Sequence, residues 1–346
     1  MTALATVDPV AAFPAIGELA QRRARKYAEK ALAPSTLRAY RADMDAFEDW
    51  CWGKGYCPLP AAPQVLADYV PEMHEVPSPR RLLRGQVDLS TNDPGGLRAN
   101  SIRRRLAAIR YWHKRAGYPS PTDHPLVEEI IAGVLRTKVE ECGETVRRVD
   151  PIMAEELRAI LAPLGRSPRD VRDRALLLVN FRGALRRSEL AALRRSDVTI
   201  HADALLVRVR KSKTDKLGAG AVVPIARPAS EDSYDPGAAL EAWLAIAPAG
   251  DGESPLFCSL HGAAIGKPFA PAAIATIIQR RAERAEISGD FSGHSLRRGV
   301  IQSLNAEGVT SVDIQMLTRQ RTATMVTLYC ENNDQRKLAR RLRDGL

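Results

Sequence analysis

Grouped cysteines and histidines are missing from this sequence. The five cysteines are odd in number and form no C-x-x-C pair, and none of the six histidines forms an H-x-x-x-H pair on a helix. This scatter argues against a disulfide framework or a zinc site, and it is typical of proteins in a reducing compartment. We therefore expect neither feature here.

Long apolar runs are also missing. No stretch approaches the roughly 20 apolar residues that a membrane-spanning helix needs. The first residues lack the basic start and apolar run of a secretory signal peptide. These two absences predict a cytoplasmic protein with no membrane partner.

Acidic residues are too few to balance the basic ones. The 346 residues contain 51 Lys and Arg against 41 Asp and Glu, which gives a formal charge of +10. Such a surplus favours a polyanionic partner, with nucleic acid as the first candidate, although many basic proteins bind none. The length fits two domains, and a hydrophobic fraction of 45% is enough for each to have its own core.

The chain divides into four predicted segments. Residues 1–14 are rich in Ala and Pro and are expected to be disordered, and residues 15–141 read as a helical N-terminal domain. The polar stretch 142–152 reads as a linker. Residues 153–346 read as a second, mostly helical domain.

Helical periodicity and turn residues predict the elements within these domains. In the first half, Ser35 is the predicted N-cap of one helix, and residues 76–96 read as a long loop of suspected function. The predicted first-half helices cover 16–32, 36–54, 64–73, 97–117 and 125–141. The predicted second-half helices cover 153–164, 168–181, 187–193, 235–245 and 271–285. Alternating apolar residues at 204–209 and 221–225 predict a β-hairpin.

The predicted helix 97–117 combines an apolar stripe with seven basic residues and no acidic one. Arg103, Arg110 and Lys114 fall on one flank beside that stripe, and Arg104 lies next to them in sequence. A helix with one face in a core and a basic flank suits the DNA major groove, where cations approach phosphates and Arg reads guanine edges. The alternative is a solvated basic face.

A second group of residues has the chemistry for attack on a phosphodiester. Such an attack by a tyrosine needs a proton acceptor, two arginines for the charge on the phosphoryl oxygens, and an acid for the leaving oxygen. Arg186 follows a turn that Gly183 permits, while His294 and Arg297 would share the first turn of a helix that begins at Ser295. Taken singly, each reads as an ordinary surface or core residue, and so does Tyr329.

Their order and separation resemble a family. The strings ALRRSELAALRRSDV and GHSLRRG, the second followed about thirty residues later by TLY, resemble the two boxes of tyrosine recombinases, also called the phage integrase family. The Cre-like type is most similar, notably in LRANSIRRRLAAIRYWHKRAGYPSP. The resemblance implies a mainly α, two-domain clamp: a helical DNA-binding domain and a mostly helical catalytic domain with a small antiparallel β-hairpin.

The resemblance also implies roles for individual residues. Arg186 and Arg297 would hold the scissile phosphate, His294 would assist proton transfer, Glu189 would brace the site, and Tyr329 would form a 3′-phosphotyrosine. In the family a hairpin lysine protonates the leaving oxygen. Lys213 matches it best, whereas Lys211 and Lys216 read as phosphate contacts. Since the adduct keeps the energy of the broken bond, no cofactor, metal or ATP is implied.

One position departs from the family pattern. Nine residues before the tyrosine the family usually has His or Trp, often after Gly, and this chain has Arg319 followed by Gln320. Gln320 can donate a hydrogen bond to a phosphate oxygen but cannot shuttle a proton. Arg319 could supply charge in its place.

The resemblance implies partners as well. It predicts duplex DNA carrying a specific, inverted-repeat site, and a homotetramer that joins two such sites through the C-terminal helix. Packing of that helix on its own domain is the alternative. Two other functions stay open, a DNA-binding relative with impaired catalysis and a type IB topoisomerase.

Overall fold

The computed structural model describes residues 23, 27, 31–77, 94–144, 149–210, 220–228 and 234–320. The chain separates into two compact units, residues 1–146 and 147–346. The division falls inside the polar segment predicted as a linker. The predicted disordered start, most of the first predicted helix and most of the loop 76–96 lie outside the described residues.

Four helices form the described part of the first unit, and their ends lie within two residues of the predicted ones. They are α1 (Pro34–Lys54), α2 (Pro63–Glu75), α3 (Ala99–Arg115) and α4 (Pro125–Glu140). The predicted cap at Ser35 is wrong. Helix α1 begins two residues earlier than predicted, at Pro34, with Ala33 as an N-cap that makes no side-chain hydrogen bond. Proline suits this position because the first helical N–H has no partner within the helix.

The core of this unit lies between two helix pairs, α1 with α3 and α2 with α4. Phe47, Leu66, Ile102, Ile109 and Val127 are fully buried in it. The apolar stripe of α3 therefore faces inward, as its helical spacing predicts, and the arginines of this helix are left on its flanks.

An ion pair links the C-terminal part of α4 to the start of α3. Lys138 on α4 is fully buried, and its Nζ lies 3.6 Å from Oε2 of Glu144. Oε1 of the same carboxylate accepts a hydrogen bond from the backbone N–H of Ala99 at 3.0 Å. Glu144 thus satisfies a free N–H at the start of α3, where a negative charge also complements the helix dipole.

The second unit contains seven described helices and three strands. The helices are α5 (Ala154–Leu161), α6 (Pro168–Gly183), α7 (Arg187–Ala192), α8 (Pro236–Ile246), α9 (Pro271–Arg284), α10 (Ser295–Ala306) and α11 (Ser311–Thr318). The first five confirm the predicted helices, with ends that move by three residues at most.

The predicted hairpin is present as part of a three-stranded antiparallel sheet. Its strands are β1 (Val198–Ile200), β2 (Ala204–Val209) and β3 (Ala221–Ala226), in the order β1-β2-β3. The sequence did not predict β1, because three residues are too few to show an alternating pattern. These elements confirm a mostly helical class with a small antiparallel sheet.

Helix α6 runs through the core of this unit. Leu176, Leu177 and Val179 on it are fully buried, together with Trp243 of α8 and Ile278 of α9. Because α6 is buried along most of its length, the turn that follows it is held in a fixed place. That turn leads directly to Arg186.

Candidate active site

The turn after α6 presents Arg186. Helix α6 ends at Gly183, the next residue Ala184 has the left-handed conformation (φ 43°, ψ 40°), and Arg186 is the N-cap of α7. The turn expected at Gly183 is present, but its left-handed residue is Ala184. Gly183 is helical, and a Cβ there would lie 3.0 Å from Cδ1 of Ile225, so its small size serves close packing against β3.

Glu189 holds Arg186 from within α7. Its Oε2 accepts a hydrogen bond from the Arg186 backbone N–H at 3.0 Å, and its Oε1 lies 2.7 Å from the Arg186 guanidinium. Arg319 donates to the same Oε2, also at 3.0 Å. Burial alone would raise the pKa of Glu189, but the Arg186 N–H and the charges of Arg319 and Arg186 outweigh it, so the pKa lies below its usual value. The carboxylate is therefore ionised at neutral pH.

Arg297 lies in the first turn of α10, which begins at Ser295 as predicted. Its side chain is buried, and its guanidinium donates to the carbonyl oxygen of Ala184 at 2.5 Å and to the carbonyl oxygen of Thr318. His294 is the N-cap residue of α10 and is exposed. The structure thus brings Arg297 to the turn that presents Arg186, because Ala184 in that turn accepts from Arg297.

Arg297 and Arg186 both donate to carbonyl groups at the C-terminal end of α11. Arg297 donates to the carbonyl of Thr318, the last residue of the helix, and Arg186 donates to the carbonyl of Arg319 at 3.1 Å. The last carbonyls of a helix have no partners within it and carry partial negative charge. They fix two guanidinium groups without neutralising them, and this suits a site for a phosphodiester anion.

The position that departs from the family pattern is also buried here. Gln320 is 7% exposed, and within the described residues its Oε1 has no hydrogen-bond partner. Arg319 before it has the left-handed conformation (φ 52°), and the Nε of Arg319 likewise has no partner among the residues that the structure describes. The predicted role of Gln320 as a phosphate donor stays a prediction.

Four predicted site residues lie outside the described part of the chain: Lys211, Lys213, Lys216 and Tyr329. The base of the hairpin that carries the lysines is described. Arg210, the residue before them, donates to the buried carboxylate of Asp197 at 2.5 Å and to Ser196 Oγ at 3.0 Å. These contacts fix Arg210, the last described residue before the lysines.

The basic flank predicted for α3 is present, but it is partly neutralised. Arg104 makes an ion pair with the buried Asp43 of α1 at 2.7 Å. Arg110 and Lys114 lie 3.0 Å and 3.5 Å from the carboxylate of Asp123. The helix itself contains no acidic residue, and the carboxylates that oppose its charges come from other elements.

Arg103 differs from these three. Its guanidinium donates to Asn100 Oδ1 at 3.3 Å, and among the described residues it makes no ion pair. It is exposed on α3. Of the four α3 residues predicted to contact DNA, it presents its charge most freely.

Sequence reasoning did not find the carbonyl groups of Ala184, Thr318 and Arg319. No side chain marks them, since any residue has a carbonyl and only the fold decides where it points. The described residues contain no cluster of three His, Cys, Asp or Glu side chains that could hold a metal ion. Within the same residues no helix is long and apolar enough to span a bilayer.

The second unit is mostly helical with a three-stranded sheet, and it holds two arginines on carbonyls at helix ends. Residues 151–336 match the model of the phage integrase family, and this range is more than half of the chain. The protein therefore belongs to the phage integrase family of tyrosine recombinases.

Similar proteins extend the likeness over most of the chain. An integrase/recombinase xerD homolog of Selenomonas ruminantium is 28% identical, covering 90% of this chain and 86% of its own. The recombinase cre of Escherichia phage P1 is 22% identical, covering 72% of this chain and 76% of its own.

Two solved structures show the same fold. The Tn1549 transposon integrase, in complex with circular intermediate DNA, matches with a TM-score of 0.54 at 14% identity, over 90% of this chain and 94% of that one. A lambda integrase dimer bound to a core site matches with a TM-score of 0.53 at 16% identity, over 89% of this chain and 75% of that one.

Proposed function

We propose that this protein is a site-specific DNA recombinase that cleaves and rejoins duplex DNA through a 3′-phosphotyrosine. The observation that carries the proposal is the pair Arg186 and Arg297, which donate to successive carbonyls at the C-terminal end of α11. Glu189 also holds Arg186. Family membership supplies the class of reaction. The names of its relatives, a phage recombinase and an xerD homolog, are in agreement with it.

In the proposed reaction the phenol oxygen of Tyr329 attacks the scissile phosphorus and loses its proton. A phosphotyrosine bond forms, and the bond from phosphorus to the 5′ oxygen breaks. Arg186 and Arg297 stabilise the charge that gathers on the non-bridging oxygens. The adduct keeps the energy of the broken bond, so the reverse attack by a 5′ hydroxyl rejoins DNA without ATP or metal.

The remaining side chains would manage protons and contacts. Lys213 would protonate the leaving 5′ oxygen, and His294, exposed at the start of α10, would assist proton transfer. Gln320 would donate to a phosphate oxygen. Lys211 and Lys216 would contact phosphates beside the cut.

The first unit would read the DNA. The apolar face of α3 is buried, so its basic side chains face away from the core and would approach phosphates and base edges. These side chains are Arg103, Arg104, Arg110 and Lys114. Arg104, Arg110 and Lys114 would have to exchange their carboxylate partners for DNA. A pair of protomers would read an inverted-repeat site.

We propose further that four protomers join two DNA sites. Leu338, Leu342 and Leu346 recur at helical spacing near the end of the sequence, and a helix that short needs a partner surface for stability. A neighbouring protomer would supply that surface. One lambda integrase structure similar to this chain is a tetramer bound to a Holliday junction.

A covalent capture experiment tests the function even though the target sequence is unidentified. The protein is incubated with a library of nicked duplexes that carry a randomised segment, and complexes that survive SDS are isolated and sequenced. We expect one enriched sequence, linked to the protein at a 3′ end through Tyr329. The Tyr329→Phe variant should give no adduct while it still shifts the enriched duplex in a gel.

The outcomes separate the alternatives. If no complex survives SDS while gel retardation of the same library still selects one sequence, the protein is a DNA-binding relative with impaired catalysis, which Gln320 would explain. Adducts spread over the whole library, together with relaxation of supercoiled plasmid, would indicate a type IB topoisomerase. Either result overturns the recombinase proposal.

A further inference from the structure

Arg319 contacts both partners of the Arg186–Glu189 pair. Its Nη2 lies 3.0 Å from Glu189 Oε2, and its backbone carbonyl accepts from Arg186 Nη2 at 3.1 Å. Its side chain is 13% exposed. One residue therefore fixes the carboxylate with its side chain and the guanidinium with its main chain.

These contacts leave Arg186 little freedom. The Arg186 guanidinium is held at Nη1 by Glu189 Oε1 and at Nη2 by the Arg319 carbonyl, while Oε2 of Glu189 is held by the Arg186 backbone and by Arg319. Without the Arg319 side chain, Oε2 would lose a charged partner. Glu189 could then rotate, and the Arg186 side chain would rotate with it.

The backbone conformation of Arg319 does not favour an arginine at this position. Its φ of 52° lies in the left-handed region, which glycine adopts far more easily. In the family, glycine often precedes the residue that Gln320 replaces. An arginine thus occupies a position where the backbone favours glycine, and its side chain contacts the candidate site through Glu189.

We propose that Arg319 is a positioning residue for DNA cleavage, which holds the guanidinium of Arg186 in place through Glu189. The inference rests on the proposed function. Arg319 acts through Glu189 and not on DNA, so its loss should slow the chemical step and leave DNA affinity unchanged.

A pH effect follows from the same contact. The Glu189 carboxylate faces Arg186 at the start of its own helix and Arg319 beyond the end of α11. From α10, Arg297 donates to the carbonyl of Thr318, the residue before Arg319. Arg319 is one of the groups that keep the pKa of Glu189 low. Its removal raises this pKa, so Glu189 takes up a proton at a higher pH and the acid limb of the cleavage profile moves upward.

The test measures single-turnover cleavage, at saturating protein, of the duplex recovered with the wild-type chain. For Arg319→Gly we expect cleavage about tenfold slower at neutral pH, since a charge-assisted contact to the site is lost. We also expect an acid limb at higher pH, unchanged DNA affinity and a melting temperature no lower than that of the wild type. Arg319→Lys keeps the charge and should recover most of the rate.

Two controls make the test specific. Arg280→Ala removes an exposed positive charge from α9 and should cleave at the wild-type rate. In a Glu189→Gln background, Arg319→Gly should slow cleavage little further, because both changes interrupt the same contact.

Three results would overturn the inference. The first is that Arg319→Gly cleaves at the wild-type rate with the wild-type pH profile. The second is that Arg319→Lys cleaves as slowly as Arg319→Gly. The third is that the effects of Arg319→Gly and Glu189→Gln on the cleavage rate are fully additive. Absence of a wild-type adduct would instead refute the proposed function, so the two failures are distinguishable.

Discussion

The arginines on α3 of the first unit and the two arginines of the candidate site in the second unit are held in different ways. On α3 of the first unit, Arg104 is bound by the carboxylate of Asp43, and Arg110 by that of Asp123. In the second unit, Arg297 is bound by carbonyl oxygens, and Arg186 shares one carboxylate and one carbonyl. The first arrangement cancels charge, whereas the second retains much of it.

This difference matters for DNA. An arginine paired with a carboxylate must give up that partner before it binds a phosphate, so part of the binding energy is offset. An arginine fixed by carbonyls is already oriented and still charged when the phosphate arrives. The first arrangement suits adjustable contacts along DNA, and the second suits stabilisation of one transition state.

The largest effect should come from the carbonyl-held arginine. We expect Arg297→Ala to lower the single-turnover cleavage rate by at least about a thousandfold, because it removes a preorganised charge at the phosphoryl oxygens. DNA affinity, measured by gel shift, should change by only a few fold. Arg297→Lys should be nearly as slow, since one ammonium cannot reproduce a planar contact to two carbonyls.

Arg103→Ala is the matched control for that variant. It removes an arginine that makes no ion pair among the described residues, so it should weaken binding and leave cleavage intact at saturating protein. If Arg297→Ala and Arg103→Ala had the same profile, the contrast between the units would be wrong.

The second largest effect should come from the hairpin lysine. Loss of a general acid typically slows a reaction about 10²–10⁴-fold, so Lys213→Ala should cleave ordinary DNA slowly. A duplex with a sulfur in place of the 5′ leaving oxygen needs no protonation, and on it the variant should approach the wild-type rate. Equal slowing on both duplexes would show that Lys213 is not the acid, and Lys216→Ala serves as the control.

A smaller effect should come from the carboxylate on the first unit. Asp123→Asn frees Arg110 and Lys114, so binding to non-specific duplex should tighten, and its salt dependence should steepen by up to about two phosphate contacts. Asp45→Asn, an exposed change of the same charge on α1, is the control. Equal effects of the two variants would mean that net charge matters and that the ion pairs with Asp123 do not.

The smallest effect concerns stability and pH. Since the pKa of Glu189 lies below its ordinary value of 4.5, its contribution to stability is present above that pH and is lost as the pH falls through the folded-state pKa. Glu189→Gln should therefore lower the melting temperature at pH 7 and match the wild type more closely at pH 3. A constant difference across this range would contradict the assigned contacts.

Helix positions are predictable because they depend on local periodicity, and α1 to α9 lie near their predicted places. The misses have local causes too: β1 is too short to show a pattern, and Pro34 resembles a boundary although it is the first helical residue. Glycine is the usual residue in a turn like the one before Arg186, but here packing against Ile225 needs Gly183 and Ala184 makes the turn.

Some residues of the candidate sites could likewise be predicted from the sequence, and others could not. Arg186, Glu189 and Arg297 could be found because the order and separation of the residues around them resemble the pattern of a known family. The neutralising role of Asp43 could not be found, because it lies 61 residues before Arg104 and only packing of α1 on α3 brings them together.

The sequence by itself determined the helical elements, the basic surplus and the chemical groups available for attack on a phosphodiester, since these depend on residue type and short spacing. Only the tertiary structure decided which arginines are paired with a carboxylate and which are held by a carbonyl. That outcome depends on whether a carboxylate or a helix-end carbonyl faces each guanidinium, and long-range packing sets those neighbours.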